Sequence, residues 1–259
     1  FWVGTSGDGL HTMDRETGQF ERHTYDPSKP DKLSRPPRKT NDDFAFNNDQ
    51  ITFIQEDVMG FIWIGTMWSG LNRYDTRTKK ITHYEGSNGF PDYSGWNAFQ
   101  SRDGVLWIST QEDNLYRVDP FLKSIKRRTS TPTVPLSFVN DNEGNLWVGT
   151  EEGGLLQFDE GETLLQQYKH TSDIHSLFDS RNIILSMSYN GGDTIWIGTS
   201  DGPGFFNKTT KQFSRLPIII KYNDTPRRNV PNMVRDRRGS LWIVLNGNGL
   251  LRYNPRDNS

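Results

Sequence analysis

The sequence predicts an all-β protein of β-propeller architecture, with about six four-stranded blades. Three observations carry this. A Trp-centred segment recurs six times, turn residues flank each recurrence at set offsets, and each unit resolves into four apolar runs of strand length.

The register comes from Trp2, Trp63, Trp107, Trp147, Trp196 and Trp242, spaced 61, 44, 40, 49 and 46 residues apart. The segments read WVGT, WIGT, WIST, WVGT, WIGT and WIVL. Six residues before the Trp stands Asp57, Asp141 or Asp236, and three before it Gly60, Gly104, Gly144 or Gly239. After the Thr a short loop leads to Gly9-Leu10, Gly70-Leu71, Gly154-Leu155 or Gly249-Leu250. Four residues past that Leu position comes Asp14, Asp75, Asp119, Asp159 or Asn254. A T-x-x-F-like element follows (Thr17 to Phe20, Thr78 to Ile81, Thr210 to Phe213), then Tyr25, Tyr84 or Tyr168.

In the second unit the four runs are Ile51 to Gln55 (strand a), Phe61 to Gly65 (b), Leu71 to Tyr74 (c) and Lys80 to Tyr84 (d). Runs of four or five residues are strands rather than helices. Strand b is apolar at consecutive positions, Phe61-Ile62-Trp63-Ile64, the pattern of a sheet buried on both faces. A blade with two apolar faces needs a neighbour on each, and this is the logic of a radial repeat. Asp-x-x-Gly suits the a–b hairpin turn, with Gly at positive φ and Asp bonding local backbone. The repeated Trp fills the space between sheets, and its indole N–H is expected to reach a polar partner.

Blades are expected at 1–25 (partial), 51–84, 96–128, 135–168, 183–216 and 230–254 (partial), forming one propeller segment. The first unit has b, c and d without a, and the last has a, b and c without d. The expectation is an arc from a seven-bladed or tandem propeller, or a six-bladed ring with two incomplete blades. The third copy departs from the pattern at Ser109 and Asn114, the sixth at Val244-Leu245, and the fifth has a shortened loop at Asp201-Gly202-Pro203-Gly204.

Composition narrows the function. Aromatics are 12 %, there are 24 Gly and no Cys, and the net charge is −2. Disulfides and thiolate metal sites are excluded. Lys and Arg are scattered without a basic stripe, so no nucleic-acid contact is expected. No apolar run is long enough to span a membrane. The chain opens mid-repeat at Phe1-Trp2-Val3-Gly4-Thr5, read here as a cut end.

The string D-x-x-G-x-L-W-I-G-T-x-x-G-G-L-x-x-Y-D-x-x-T-x-x-F, best seen over Asp141 to Leu155 and Asp57 to Ile81, resembles the two-component-regulator propeller repeat. The joins Tyr168 to Ile183 and Tyr25 to Leu33 also look like that family's blade-to-blade connections. The resemblance covers nearly the whole chain. It implies a periplasmic sensor domain of an inner-membrane hybrid histidine kinase, detecting glycan fragments in many systems. It further implies a membrane helix, a kinase core and often a DNA-binding regulator elsewhere in the parent chain; a sensor of this kind would act by shifting the arrangement of a homodimer.

Candidate ligand residues follow from loop position. In a propeller the b–c and d–a loops share one face around the channel mouth. Trp68 in a b–c loop, and Trp96 with Tyr93 near a d–a junction, stand outside the repeat and suit stacking on a sugar ring. Against this stands simple packing at the blade 2–3 junction. Arg35, Arg38, Lys39, Arg181, Arg227 and Arg228 collect in d–a joins and suit uronate or sulfate groups, or are solvated loop charge. The b–c loops add Gln111, Glu112, Glu151, Glu152, Asp201 and Asn246 as acceptors for sugar hydroxyls, or as ordinary polar turns. The stretch Ser34 to Asn48 is longer than the other joins and reads as a ligand loop or an unstructured one.

No catalytic residue, metal site or cofactor is expected. The five His show no ligand spacing, and Asp141-Asn142-Glu143-Gly144 lacks the downstream Glu of a calcium loop. Three functions stay open: a sensor binding a small molecule or oligosaccharide, a propeller glycosidase or polysaccharide lyase, and a protein-interaction scaffold.

Overall fold

Every one of the six Trp stations lies on a strand, and the turn residues around it set where that strand begins and ends. The computed structural model describes residues 1–6, 8–23, 50–67, 70–84, 90, 94–121, 124–160, 163–169, 182–189, 191–216 and 229–257. These belong to two compact units, Phe1–Ser130 and Thr131–Ser259. Among the described residues there is no helix.

The first unit holds three antiparallel sheets. They are β1 (Trp2–Gly4), β2 (Leu10–Met13) and β3 (Phe20–His23); then β4 (Ile51–Glu56), β5 (Phe61–Thr66), β6 (Leu71–Asp75) and β7 (Ile81–Tyr84); then β8 (Gly95–Gln100), β9 (Leu106–Thr110), β10 (Asn114–Asp119) and β11 (Ser124–Ser130). The second unit repeats the plan. Its sheets are β12 (Pro135–Asn140), β13 (Leu146–Thr150), β14 (Leu155–Phe158) and β15 (Leu164–Tyr168); then β16 (Ile184–Ser188), β17 (Thr194–Thr199), β18 (Gly202–Asn207) and β19 (Gln212–Arg215); then β20 (Asn232–Arg235), β21 (Leu241–Leu245) and β22 (Gly249–Tyr253). Each sheet is a meander in chain order, the layout of a propeller blade. The first and sixth sheets have three strands among the described residues.

The a–b turn works as its composition predicts. Asp57 Oδ1 accepts from the backbone N–H of Met59 and of Phe61, at 2.9 and 3.1 Å, and Gly60 sits at φ 79°. Asp141 and Asp236 repeat this, each accepting two backbone N–H groups at 2.9 Å. In the third repeat Ser101 stands in for Asp, and its hydroxyl donates to the Val105 carbonyl at 2.8 Å. The acid or amide after strand c caps the c–d turn: Asp14, Asp75, Asp159, Asn207 and Asn254 all accept local backbone N–H groups.

The Thr of the repeat has a job the spacing did not reveal. Thr5, Thr66, Thr150 and Thr199 donate their hydroxyls to the carbonyls of Gly9, Gly70, Gly154 and Gly202, at 2.8–2.9 Å. Each bond closes the b–c loop across its own neck. In the fifth sheet the shortened loop still keeps it, with Gly202 taking the place of Gly154.

The cores lie between successive sheets of a unit. Trp63, Leu71, Phe53, Leu106, Ile108 and Tyr116 join the second and third sheets. Trp147, Ile184, Ile195, Ile197 and Phe206 join the fourth and fifth, and Trp196 packs with Val230, Met233 and Ile243 of the sixth. Strands β9 and β13 are buried along their whole length, and β5 and β17 beyond their first residue, as sheets covered on both faces require. Strand β21 differs. Val244 is 40 % exposed there, with Val234 and Leu250 at 61 %, so one face of the sixth sheet meets solvent within its unit.

The Gly after the Trp explains how closely the sheets approach. A Cβ on Gly149 would lie 2.6 Å from Ile184 Cγ2 of the next sheet and 2.5 Å from Ser137 Oγ. On Gly198 it would lie 2.6 Å from Val230 Cγ1. Ser137 and Ser186 then donate across to the carbonyls of Ile184 and Val230, at 3.3 and 3.0 Å. Thr52 makes the same bond to the Gly95 carbonyl.

Candidate functional site

The b–c loops lie at the end of each sheet where strand a begins, because backbone bonds tie the two together. The N–H of Met67 donates to the Gln50 carbonyl at 2.9 Å, Glu151 to Val134 at 3.0 Å and Asn246 to Asn229 at 3.1 Å. Successive sheets are stitched at the same end, with Val230 N–H on the Thr199 carbonyl at 2.9 Å and Ile51 N–H on that of Thr5 at 3.0 Å. Sheet topology therefore gathers loops from adjacent sheets of one unit at one end.

In the first unit Trp96 is the second residue of β8. It lies within a register shift between Gly95, opposite Thr110, and Asn97, opposite Ser109. It is half-buried, set in the strand itself rather than in a flexible joint. A β-bulge re-aims a side chain without breaking the sheet. Thr52, Leu136 and Leu185 occupy the corresponding bulge in β4, β12 and β16, so Trp96 is the aromatic among four such positions. Gln111 is half-buried and Glu112 exposed in the next b–c loop. Trp68, Tyr93, Arg35, Arg38 and Lys39 lie outside the described residues.

In the second unit Glu151 and Glu152 are exposed, and the Glu152 N–H is held by Thr133 Oγ1 at 3.1 Å. Asp201 is half-buried, its N–H on Thr199 Oγ1 at 3.0 Å and its carbonyl accepting from Arg215 Nη1 at 3.4 Å. Asn246 is exposed in the sixth sheet's b–c loop. Asp201 and Asn246 thus come to the same end of two sheets joined by the Val230–Thr199 bond. Arg181, Arg227 and Arg228 lie outside the described residues.

Three neighbours of these two escaped the sequence reading. Ser200 Oγ, Asn229 Oδ1 and Asn248 Nδ2 are buried atoms with no hydrogen-bond partner. Ser200 and Asn229 flank the Val230–Thr199 bond, and Asn229 and Asn246 are bonded through their backbones. Spacing gave no signal for them, because the place of Asn229 is taken by Gln50 before β4, by Val134 before β12 and by Ile183 before β16.

Electrostatic perturbation lies elsewhere. Among the described residues the displaced carboxylates are Asp14, Asp75, Asp141 and Asp236, all in a–b or c–d turns at the opposite end of the strands. Burial works against the Asp141 carboxylate, but the Trp147 N–H, Asn145 and the Lys208 ammonium outweigh it and hold its pKa below the usual Asp range. No group of three metal-ligating side chains occurs among the described residues.

Residues 130–152, which take in β12, β13 and the start of the b–c loop of the fourth repeat, match the family model for the two component regulator propeller. The chain carries a two-component regulator propeller repeat. A protein named Histidine kinase P4 from Formosa agariphila is 26 % identical over 272 residues, covering 97 % of this chain and 18 % of that protein. The chain therefore spans less than a fifth of the length of the curated relative it matches. Among solved structures, the extracellular domain of the hybrid two component system BT3049 from B. thetaiotaomicron superposes at TM-score 0.73 and 23 % identity, over 98 % of this chain and 32 % of that one. The corresponding domain of BT4673 gives TM-score 0.66 at 17 % identity, over 100 % and 42 %. PorZ of Porphyromonas gingivalis, a surface component of its type-IX secretion system, gives 0.70 at 12 %, over 98 % and 37 %. The likeness to these structures is one of fold.

Proposed function

We propose that this chain is the extracytoplasmic ligand-sensing part of a two-component receptor, and that it binds a glycan fragment or a chemically similar small molecule at its b–c loop end. The observation that carries this is the match to a histidine kinase along 97 % of the chain, together with the propeller repeat. The parent protein would hold a membrane helix, a kinase core and a DNA-binding regulator outside these residues. No helix among the described residues is long and apolar enough to cross a membrane.

The chemistry of the loop end favours binding over turnover. In the first unit the half-buried Trp96 suits the apolar face of a sugar ring, and in the second the polar side chains of Asp201 and Asn246 suit hydroxyl groups. A signal then needs the ligand to prefer one of two arrangements of the receptor, by as much free energy as the response requires.

The test is calorimetric titration of the protein with neutral, uronate-bearing and sulfated oligosaccharides, paired with a transcriptional reporter of the whole receptor in cells. Saturable binding of at least one oligosaccharide, which also switches the reporter, is the expected result. Cleavage of the panel by the purified domain would favour a carbohydrate-active enzyme instead, and silence in both assays would remove the sensing reading.

A further inference from the structure

We propose that the b–c loop end of the fifth and sixth sheets is a subsite for adjacent hydroxyls of a neutral, polyhydroxylated ligand, held by Ser200, Asn229 and Asn248. The inference rests on the sensing reading above and names the ligand class it selects.

The carrying observation is the set of buried, unpartnered atoms Ser200 Oγ, Asn229 Oδ1 and Asn248 Nδ2. A buried polar atom without a partner is costly, and native proteins leave few of them. Here three fall within one small region. Val230 N–H reaches the Thr199 carbonyl at 2.9 Å, with Ser200 and Asn229 next to the bonded residues. Asn246 N–H reaches the Asn229 carbonyl at 3.1 Å, and Asn248 follows two residues later, its own N–H on the Leu245 carbonyl at 3.0 Å. Backbone hydrogen bonding thus brings the three residues together from three chain segments.

The same end of the fourth sheet shows what internal satisfaction looks like. There Thr133 Oγ1 takes the Glu152 N–H, and Gln167 Nε2 donates to the Gly153 carbonyl at 2.8 Å. An apolar residue suffices at the place of Asn229, as Val134 and Ile183 show. The fold does not need an amide at 229.

The three groups form a complementary set. Asn229 offers an acceptor, Asn248 a donor, and Ser200 both. A sugar hydroxyl also donates and accepts, so two neighbouring hydroxyls match this set. None of the three ionises. Asp201 and the Arg215 guanidinium on its carbonyl place one charge of each sign beside the set, so the three neutral groups decide what it selects.

The test uses gluco-, xylo- and manno-oligosaccharides as neutral probes, with uronate-bearing and sulfated oligosaccharides beside them. Calorimetry is run on the parent protein and on Ser200→Ala, Asn229→Val and Asn248→Ala, with a thermal melt of each. We expect a neutral probe to bind the parent and to lose about 3- to 10-fold in affinity in each variant, as a lost hydrogen bond would give. The melting temperature should stay level or rise, because a buried unpaired atom has gone. Neutral binding unchanged in all three variants overturns the subsite and leaves the sensing reading standing. So does a lowered melting temperature with unchanged affinity, which would assign the three atoms to internal hydration. Binding of anionic probes alone overturns the neutral class. Binding of no probe removes the sensing reading and this inference with it.

Discussion

The indole N–H of Trp147 donates to Asp141 Oδ2 at 2.8 Å. The two residues are six apart in sequence and sit across one hairpin turn, and Trp63 with Asp57 (2.7 Å) and Trp242 with Asp236 (2.9 Å) repeat the bond. One carboxylate therefore shapes the turn through Oδ1 and satisfies the buried Trp through Oδ2. Replacing Asp141 with Ala leaves a buried indole N–H and two turn N–H groups unpaired, and removes one of the two carboxylate partners of Lys208 Nζ, at 3.3 Å. The expected cost is about 3–5 kcal/mol, read from the urea midpoint.

Lys208 is the second test of that cluster. Its side chain is 6 % exposed, and its ammonium reaches from the fifth sheet to Asp141 and Glu143 of the fourth and lies 5.2 Å from the centre of the Tyr189 ring. Lys208→Met should destabilise by about 3 kcal/mol, because Asp141 stays buried without its countercharge. The double variant Lys208→Met with Asp141→Asn should recover part of that loss, and a melt no better than the single variant would show that the pair does not couple.

Stability should fall on both sides of a broad plateau in pH. The folded-state pKa values of Asp14, Asp75, Asp141 and Asp236 are depressed, so their contribution is present above the unfolded Asp value of about 4 and lost as pH drops through the folded values. Burial works against the Lys208 charge, but its bond to Glu143 and the Asp141 carboxylate raise its pKa above the ordinary value. That contribution is present below the unfolded Lys value of about 10.4 and lost as pH rises through the folded one. Urea melts across this range should show decline below about pH 4, and Asp141→Asn should flatten part of it.

The close approach of sheets gives a steric test. Gly149→Ala and Gly198→Ala each place a methyl against the next sheet and should cost about 1–3 kcal/mol by overpacking. At Gly60, where a Cβ meets open space but φ is 79°, alanine should cost only about 1 kcal/mol in backbone strain. Equal losses at Gly60 and Gly149 would contradict the packing account.

Trp147 and Trp96 should separate stability from binding. Trp147 is 1 % exposed, and its truncation to Ala should cost about 3–5 kcal/mol. Trp96 is half-buried in the bulge of β8. Trp96→Ala should melt closer to the parent, yet weaken an oligosaccharide that stacks on the ring. Affinity equal to the parent would place the ligand away from β8.

The periodicity of Trp, Gly and Asp by itself determined the antiparallel strands, their order in each sheet and the turns between them. These depend on residues within about twenty positions of one another, whose spacing is local information. In the second repeat the four strands predicted from Ile51 to Tyr84 coincide with β4 to β7 to within a residue or so. Contacts between repeats were decided only by tertiary structure. Within the first sheet the His23 ring stacks on Trp2 at 5.5 Å, because it lies opposite Leu10 as Tyr84 lies opposite Leu71. Lys208 reaches Asp141 across 67 residues. Ser200, Asn229 and Asn248 acquire meaning only as buried atoms left over when neighbouring strands have paired, and no spacing along the chain records which atoms remain.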